Sequence, residues 1–172
     1  MDLAVPELAI EAPAISQIAW VVADLDEAME RYRRVLGFGP WEVHHVEPPE
    51  HRDMFYDGEK TECSFAIGYT SIGDLEVEFI EPTSGKSVHQ DFLDEHGEGI
   101  HHIACFEFED TPAVMDAFDG AGIPIVQRGQ WHDRDYIYFD TTDHLDGLYF
   151  ETLMGGEEDL EPSYVYPDST ER

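Results

Sequence analysis

Two adjacent histidines, His101 and His102, open an apolar segment that directly follows a turn containing Gly97 and Gly99. The glycines give the turn its backbone freedom, and the segment after them is apolar enough to form a buried strand. Because successive side chains of a strand point to opposite faces, we expect only one of the two histidines to face the interior. An imidazole there could bind a metal ion or transfer a proton, whereas the ordinary alternative is a solvent-facing or hydrogen-bonded histidine.

The first half of the chain contains a counterpart of this histidine segment. Residues 17–19 (Gln-Ile-Ala) align with residues 102–104 (His-Ile-Ala), and residues 77–80 (Val-Glu-Phe-Ile) align with residues 150–153 (Phe-Glu-Thr-Leu). Such internal similarity indicates two related structural modules. The alignment places four polar side chains at equivalent points of apolar strands, namely Gln17, Glu78, His102 and Glu151.

These four side chains have the chemistry of a metal site. A buried carboxylate is unfavourable unless it is paired or bound to a cation, and two neighbouring carboxylates repel each other unless a cation lies between them. One imidazole, two carboxylates and one amide suit Zn, Ni, Co, Mn or Fe(II), and they suit Cu(I) poorly because they offer no sulfur. We therefore predict one divalent metal ion per chain. The alternative is that both glutamates lie on the solvated face of a half-exposed sheet.

The elements that must position these residues follow the same order in both halves. Asp24 and Gly37 mark the ends of an amphipathic helix in the first half, and Thr111 is the predicted N-cap of a helix in the second. The segment 47–60 contains prolines and a glycine and is predicted to be a loop. Apolar runs predict strands at 15–22, 41–47, 62–70 and 75–81, and again at 100–108, 124–129, 136–139 and 148–154.

This order predicts an α+β chain built from two repeated βαβββ modules. The first module covers residues 14–82 and the second covers residues 100–154. Residues 83–99 form a connector with a short helix. Residues 155–172 form an acidic tail that prolines interrupt, and we expect this tail to pack loosely or fray.

The chain is strongly acidic. Its 172 residues include 39 Asp and Glu against 9 Lys and Arg, which gives a formal net charge of −30. Such a surface repels phosphate groups, so we expect neither a nucleic acid nor a membrane as a partner. Because no secretory signal is recognisable, we expect a cytoplasmic protein, and we interpret the uniform acidity as the adaptation of a halophilic, salt-loaded cell. Urea unfolding across a salt series tests this interpretation, which maximal stability at low salt would contradict.

Most of the remaining reactive side chains have ordinary structural explanations. Cys63 and Cys105 lie within predicted strands, where two buried thiols without a disulfide are expected. The histidines that we expect at the surface are His44, His45, His51, His132 and His144. Few cations are available to contact an anionic substrate, and the candidates are Arg52, Arg128 and Arg134.

The paired modules, and most specifically the segment 92–104 with its Gly-Glu-Gly-Ile-His-His stretch, resemble the vicinal oxygen chelate superfamily. That superfamily includes glyoxalase I, methylmalonyl-CoA epimerase, extradiol dioxygenases and bleomycin-resistance proteins. The resemblance covers residues 14–154 and implies curved sheets that enclose a metal-binding cleft. It implies that His102 is a ligand and that His101 points away from the site. The implied metal ligands are Gln17, Glu78, His102 and Glu151.

The ligand set and the local motif favour different branches of this superfamily. The ligand order Gln, Glu, His, Glu is similar to that of one class of glyoxalase I. The stretch at 97–102 instead resembles the epimerases, which usually have histidine where this chain has Gln17. Extradiol dioxygenases need two histidines and one carboxylate at iron, so Gln17 disfavours that chemistry.

The resemblance implies a metal-dependent lyase or isomerase that transfers a proton next to a carbonyl or thioester. Glu151 is then the catalytic base, Glu78 could serve the opposite face of the substrate, and Glu62 is a weaker candidate. The substrate would be a small molecule, for which a thioester or a thiol adduct is an option, and a homodimer is left open. The alternative function is a metal-free small-molecule binding protein of the bleomycin-resistance type, which sequesters its ligand in the same cleft.

Overall fold

The structure is a computed structural model that describes residues 5–156 and 160–168. The helices within these residues are α1 (Leu25–Leu36), α2 (Val88–His96) and α3 (Thr111–Gly120). The strands are β1 (Gln17–Val21), β2 (Trp41–Val46), β3 (His51–Tyr56), β4 (Glu59–Lys60), β5 (Ser64–Ile72), β6 (Leu75–Ser84), β7 (Gly99–Ala104), β8 (Ile125–Trp131), β9 (Arg134–Phe139), β10 (Tyr149–Gly155) and β11 (Tyr164–Tyr166).

All of the described strands belong to one curved, unclosed sheet with the order β11-β2-β5-β6-β1-β7-β10-β9-β8-β3-β4. Strands β1 and β7 pair antiparallel near its centre. Each also pairs in parallel with the last strand of its own half, β1 with β6 and β7 with β10. The first half repeats the order strand, helix, three strands with β1, α1, β2, β5 and β6, and the second half with β7, α3, β8, β9 and β10. Strands β3 and β4 are inserted after β2 and lie at the edge of the second half. This arrangement confirms the predicted α+β class with two βαβββ repeats.

The strand register reproduces the alignment of the two halves. Ala19 of β1 lies opposite Glu78 of β6, and Ala104 of β7 lies opposite Glu151 of β10. Across the centre of the sheet, Ala19 also lies opposite His102. Both alanines are fully buried, and their small side chains leave space beside the polar residues of the neighbouring strands. The repeat therefore concentrates polar side chains at the centre of the sheet.

Helix α1 begins and ends at the residues that the sequence predicts. The Asp24 carboxylate accepts a hydrogen bond from the backbone N–H of Glu27 at 2.8 Å, and Gly37 ends the helix with a left-handed φ of 74°. Met29 on the buried face of α1 packs against β5 at Gly68. A Cβ atom at position 68 would lie 2.9 Å from the Met29 sulfur, so a side chain there would require the Met29 side chain to move.

Helix α3 has a different N-cap from the predicted one. Asp110, and not Thr111, caps the helix, because its carboxylate accepts a hydrogen bond from the Ala113 N–H at 3.0 Å. Threonine is the weaker cap of the two, and here it becomes the first helical residue. Phe118 of α3 stacks on Phe139 of β9 with ring centroids 4.0 Å apart, which anchors the helix on the second half of the sheet.

The segment 47–60 is not the loop that the sequence predicts. It forms the strands β3 and β4, and β3 pairs with β8 of the other half. A bulge between Arg52 and Phe55 interrupts the alternation of inward and outward side chains, and Asp53 has a left-handed φ of 52°. These irregularities hide the strand period. The strand also depends on a partner far along the chain, which local sequence patterns do not reveal.

Two of the histidines expected at the surface, His44 and His51, are buried. His51 lies on β3, where its Nδ1 is 3.0 Å from the Cys63 carbonyl oxygen and its Nε2 is 2.7 Å from the Tyr136 hydroxyl. A carbonyl only accepts, so Nδ1 carries the proton and Nε2 accepts from the tyrosine. His44 is stacked on Tyr69. The surface prediction is therefore wrong for both residues, because cross-strand polar partners allow them to be buried.

His51 should make the protein sensitive to acid. Burial lowers the pKa of His51 from 6.5 to about 4, so the unfolded chain binds this proton as pH falls below 6.5 while the folded chain does not. We expect the free energy of unfolding to fall across that window, and we expect a smaller fall in His51→Phe. Urea titrations at several pH values measure both slopes. Replacement of the exposed His96 by alanine is the control, and an equal slope in His51→Phe would show that this histidine does not contribute.

The predicted acidic tail is partly ordered. Strand β11 pairs with β2, and Tyr164 donates a hydrogen bond to the Asp26 carboxylate at 3.0 Å. Tyr166 hydrogen-bonds Glu30, also on α1. Loose packing is therefore wrong for residues 164–166, because two tyrosines provide apolar area and polar contacts that composition alone does not show. The parts of the predicted tail at 157–159 and 169–172 lie outside the described residues.

The two cysteines are free and buried, as the sequence predicts, but each lies just beyond the end of a strand. Cys63 precedes β5, and Cys105 follows β7. Among the described residues, the structure contains no helix of the length and apolarity that a membrane crossing requires.

Candidate metal centre

Four neighbouring strands bring the four predicted ligands together. Gln17 comes from β1, Glu78 from β6, His102 from β7 and Glu151 from β10, and these strands are consecutive in the sheet in the order β6-β1-β7-β10. The Nε2 atom of His102 lies 3.0 Å from Oε1 of Gln17 and 3.1 Å from Oε2 of Glu151. It lies 3.9 Å from Oε2 of Glu78. The imidazole is therefore the centre of the cluster.

A β-bulge changes the expected orientation of His101. Ala19 lies opposite His102, but the next residue of β1 lies opposite Ile100, which leaves His101 without a partner in the register. The Nδ1 atoms of His101 and His102 are 2.9 Å apart, and both side chains are fully buried. The expectation that only one of the two histidines faces the interior is therefore wrong, and His101 contacts His102 on the side opposite to the cluster. The extra residue breaks strict alternation, so two adjacent histidines can touch each other.

Gln17 is held in one orientation by a carboxylate that the sequence analysis did not select. Its Nε2 donates to Oε1 of Glu76 at 2.6 Å, and its Oε1 faces His102. A carboxylate accepts hydrogen bonds, so it draws the amide nitrogen toward itself and leaves the amide oxygen toward the cluster. Glu76 precedes Glu78 by two residues on β6. Strand periodicity was the signal that could have placed both glutamates on one face.

The two central glutamates are buried without a formal cation. Glu78 and Glu151 are 7% and 5% exposed, and within the described residues neither forms an ion pair with a lysine or arginine. Burial, and next the negative charge of Glu151, raises the pKa of Glu78 well above its usual value of 4.5. The alternative of a solvated glutamate face is therefore wrong. A divalent cation is the kind of charge that would relieve this arrangement.

The donor atoms suit such a cation. Adjacent ligands of an ion at about 2.1 Å lie about 3.0 Å apart, which agrees with the separations of His102 Nε2 from Gln17 and Glu151. Over residues 5–156 and 160–168, however, no three His, Cys, Asp or Glu side chains already surround a common point at metal-binding distances. The amide oxygen of Gln17 is a further donor beside the imidazole and the two carboxylates, and the buried negative charge of the carboxylates requires compensation.

A cavity of about 220 Å³ opens directly beside the cluster. Gln17 and Glu78 line it, whereas His102 and Glu151 are not among its lining residues and belong to the cluster through the contacts of His102 Nε2. Arg134 is the one basic residue among those that line it. The other walls are mainly aromatic and aliphatic, with Ile67, Tyr69, Phe106, Trp131, Tyr136, Leu153 and Leu160. Such a cavity can hold a small molecule next to the polar cluster.

The structure does not bring every predicted site residue to this cavity. Glu62 lies in the segment before β5 and is not among the residues that line the cavity. Arg52 donates hydrogen bonds to the carbonyl groups of Glu50 and His132, and Arg128 lies over the Phe55 ring at 4.7 Å. Of the three arginines considered, Arg134 is therefore the one placed to meet a substrate.

Tyr138 is a further neighbour of the cluster that sequence reasoning missed. It lies opposite Glu151 in the β9–β10 pairing, and its ring centroid is 5.0 Å from that of His102. Burial raises the pKa of its hydroxyl well above 10, so the group stays protonated and can act as a donor. Its position in an apolar strand gave no chemical signal in the sequence.

Comparison with known proteins supports this description of the fold. The family model of the Glyoxalase/Bleomycin resistance protein/Dioxygenase superfamily matches residues 16–139. No curated protein matches the chain significantly. A hypothetical protein from Bacillus halodurans C-125 superposes with a TM-score of 0.62 at 18% identity, over 86% of this chain and 98% of that one.

Two epimerase structures are similar as well. Methylmalonyl-CoA epimerase from Mycobacterium tuberculosis superposes with a TM-score of 0.58 at 22% identity, over 86% of this chain and 94% of that one. A variant of the Streptomyces coelicolor epimerase, in complex with 2-nitronate-propionyl-CoA, gives 0.57 at 21% identity, over 85% and 99%. At these identities the likeness establishes the fold alone. The family match covers most of the chain, and the chain therefore belongs to the glyoxalase/bleomycin resistance protein/dioxygenase superfamily.

Proposed function

We propose that this chain is a metal-dependent lyase or isomerase that moves a proton at a carbon next to a carbonyl or thioester. The observation that carries the proposal is the pair of buried glutamates, Glu78 and Glu151, around the imidazole of His102 and beside a cavity. Buried carboxylates of this kind are unfavourable for stability, so a binding cleft without a metal would have no use for two of them.

The proposed ligands of the ion are Gln17, Glu78, His102 and Glu151, and Zn, Ni, Co, Mn and Fe(II) all suit this set. When bound, a divalent ion supplies a positive charge that stabilises the oxyanion formed as the substrate loses its proton. Glu76 keeps the amide oxygen of Gln17 directed at the site through the hydrogen bond described above.

Glu151 is the proposed catalytic base. Its carboxylate removes the proton next to the carbonyl and returns it, to the same carbon in an isomerase or to the neighbouring carbon in a lyase of the glyoxalase type. Glu78 lines the cavity on the other side of His102 and is the second candidate for proton transfer. Glu62 is exposed and lies before β5, outside the buried cluster around His102, so the proposal no longer includes it.

The walls of the cavity indicate what the substrate must offer. Tyr69, Trp131 and Tyr136 provide aromatic surface for an apolar portion, and Arg134 provides the cation for a carboxylate or another anionic group. The surrounding carboxylates, and the net charge of −30, favour a reacting portion with little negative charge inside the cavity. The acyl portion of a thioester or a small thiol adduct meets this requirement.

A metal-reconstituted assay in heavy water tests the proposal. The protein is loaded with each candidate ion and incubated with methylmalonyl-CoA, or with methylglyoxal and several thiols, and deuterium uptake is followed by mass spectrometry. We expect metal-dependent uptake or turnover with one of these substrate classes. Loaded protein that exchanges no proton in either class would contradict the proposal. Tight binding of these compounds by metal-free protein, without exchange, would instead support the alternative of a sequestering protein.

A further inference from the structure

The contact between the two adjacent histidines leads to an inference beyond the ligand set. We propose that His101 is a positioning residue that accepts a hydrogen bond from the Nδ1–H of His102 and leaves the His102 Nε2 free to bind the ion. This inference rests on the proposed function, because it assigns Nε2 of His102 to a metal. The sequence predicts no contribution of His101 to metal binding, whereas this inference gives it the role of orienting the His102 ring.

The geometry requires a hydrogen bond with one donor and one acceptor. The two Nδ1 atoms are 2.9 Å apart, and both rings are fully buried. Two protonated nitrogens would repel each other at this distance, and so would two bare ones, so one ring donates and the other accepts. In a neutral imidazole the second nitrogen then has the opposite protonation state. The contact therefore couples the proton positions of His101 and His102.

A bound cation would set the direction of this hydrogen bond. Without one, Nε2 of His102 faces the acceptor oxygens of Gln17 and Glu151 and carries the proton itself, so His101 donates to Nδ1 of His102. A nitrogen that binds a cation must offer its lone pair, so a neutral His102 bound through Nε2 carries its proton on Nδ1. That proton points at Nδ1 of His101, which accepts it. The proton of His101 then lies on its own Nε2, an atom that has no hydrogen-bond partner within the described residues.

The surroundings of His101 hold its imidazole in place. Its ring is stacked on Tyr149 with centroids 4.8 Å apart and is perpendicular to Phe92 with centroids 5.1 Å apart. These rings keep the imidazole from rotating. A hydrogen-bond acceptor that is locked in place orients the ligand that donates to it.

Three variants separate this role from packing. His101→Phe keeps an aromatic ring but removes the acceptor, and we expect it to weaken Zn²⁺ binding by about 10- to 100-fold. His101→Asn retains an acceptor close to the position of Nδ1, and we expect it to recover most of the affinity. The matched control is His89→Phe, because His89 is equally buried and its ring centroid lies 4.9 Å from that of His101, but it makes no hydrogen bond to His102 in the described structure. We expect affinity close to wild type in this control.

Titration calorimetry with Zn²⁺ gives the affinities, and circular dichroism verifies that each variant is folded. Wild-type affinity in His101→Phe would overturn the positioning role and leave the proposed function intact. An equal loss in His89→Phe would also overturn it, because the loss would then come from packing. Wild-type protein that binds no Zn²⁺ would contradict the proposed function and this role together.

A second measurement needs no variant. In ¹⁵N-labelled wild-type protein loaded with Zn²⁺, we expect one slowly exchanging imidazole proton that couples to the Nδ1 atoms of both His101 and His102. Coupling across the hydrogen bond is a signature that a merely structural role would not produce. The role would be overturned if the His102 Nδ1 proton were in rapid exchange with water and showed no coupling to His101.

Discussion

Replacement of Glu151 by glutamine is expected to lower the rate of substrate proton exchange by about 10²- to 10⁴-fold, the usual effect of removing a general base. The physical reason is that an amide cannot accept the substrate proton at neutral pH, although its oxygen can still coordinate an ion. Glu151 lies on β10 opposite Tyr138, and the residues on either side of it in that strand are buried. Glutamine has nearly the same shape, so we expect the fold and much of the bound metal to remain.

Deuterium uptake from heavy water in any accepted substrate analogue measures this step directly and does not require the physiological substrate. Glu62→Gln is the control, because it makes the same chemical change at an exposed glutamate outside the cluster around His102, and we expect it to exchange like wild type. Wild-type exchange in Glu151→Gln would transfer the role of base to Glu78. Loss of both metal and fold in Glu151→Gln would show that the residue is structural.

His102→Ala is expected to weaken metal binding by more than about 100-fold, beyond the usual effect of losing a residue that only supports a ligand. His102 supplies the one imidazole of the proposed set, and its Nε2 is the atom to which the donors of Gln17 and Glu151 are closest. Removal of the ring leaves two buried carboxylates and one amide around an enlarged space. We therefore also expect a lower melting temperature in this variant.

Equilibrium dialysis against Zn²⁺ or Co²⁺ measures the change in affinity. His96→Ala removes a histidine that is 62% exposed in its side chain and is the control for nonspecific binding. The sequence alone led us to expect that His101 variants would retain their metal. The contact at 2.9 Å now places His101→Phe between the control and His102→Ala in its effect. Equal metal binding by wild type and His102→Ala would refute the proposed ligand set.

The four central residues could be predicted because the chain repeats itself. The alignment of residues 17–19 with 102–104 placed Gln17 and His102 at equivalent points, and the strand register reproduces this equivalence. A polar residue in an apolar strand becomes a strong signal of a site when the second copy of the pattern also has a polar residue at the equivalent position. For this reason the sequence located the centre of the sheet and the polar residues there.

Features that depend on pairing between distant strands could not be predicted in this way. The bulge at His101 arises from the register of β1 against β7, and strand alternation alone predicted one buried histidine where both are buried. The strand β3 lies in the first half but pairs with β8 of the second. Glu76 could have been found, since it lies two residues from Glu78 on one strand, but its role becomes visible only through its contact with Gln17.

The metal content of wild-type protein, purified without a histidine tag, tests the central claim most directly. The claim is that Gln17, Glu78, His102 and Glu151 hold one divalent ion per chain. Elemental analysis by mass spectrometry, before and after incubation with Zn, Ni, Co, Mn or Fe(II) salts and removal of the excess, gives the stoichiometry. We predict one bound ion per chain and a higher melting temperature in the loaded protein, because binding to the folded state stabilises it. Protein that retains no ion after any of these incubations, and whose melting temperature does not change, would contradict the account.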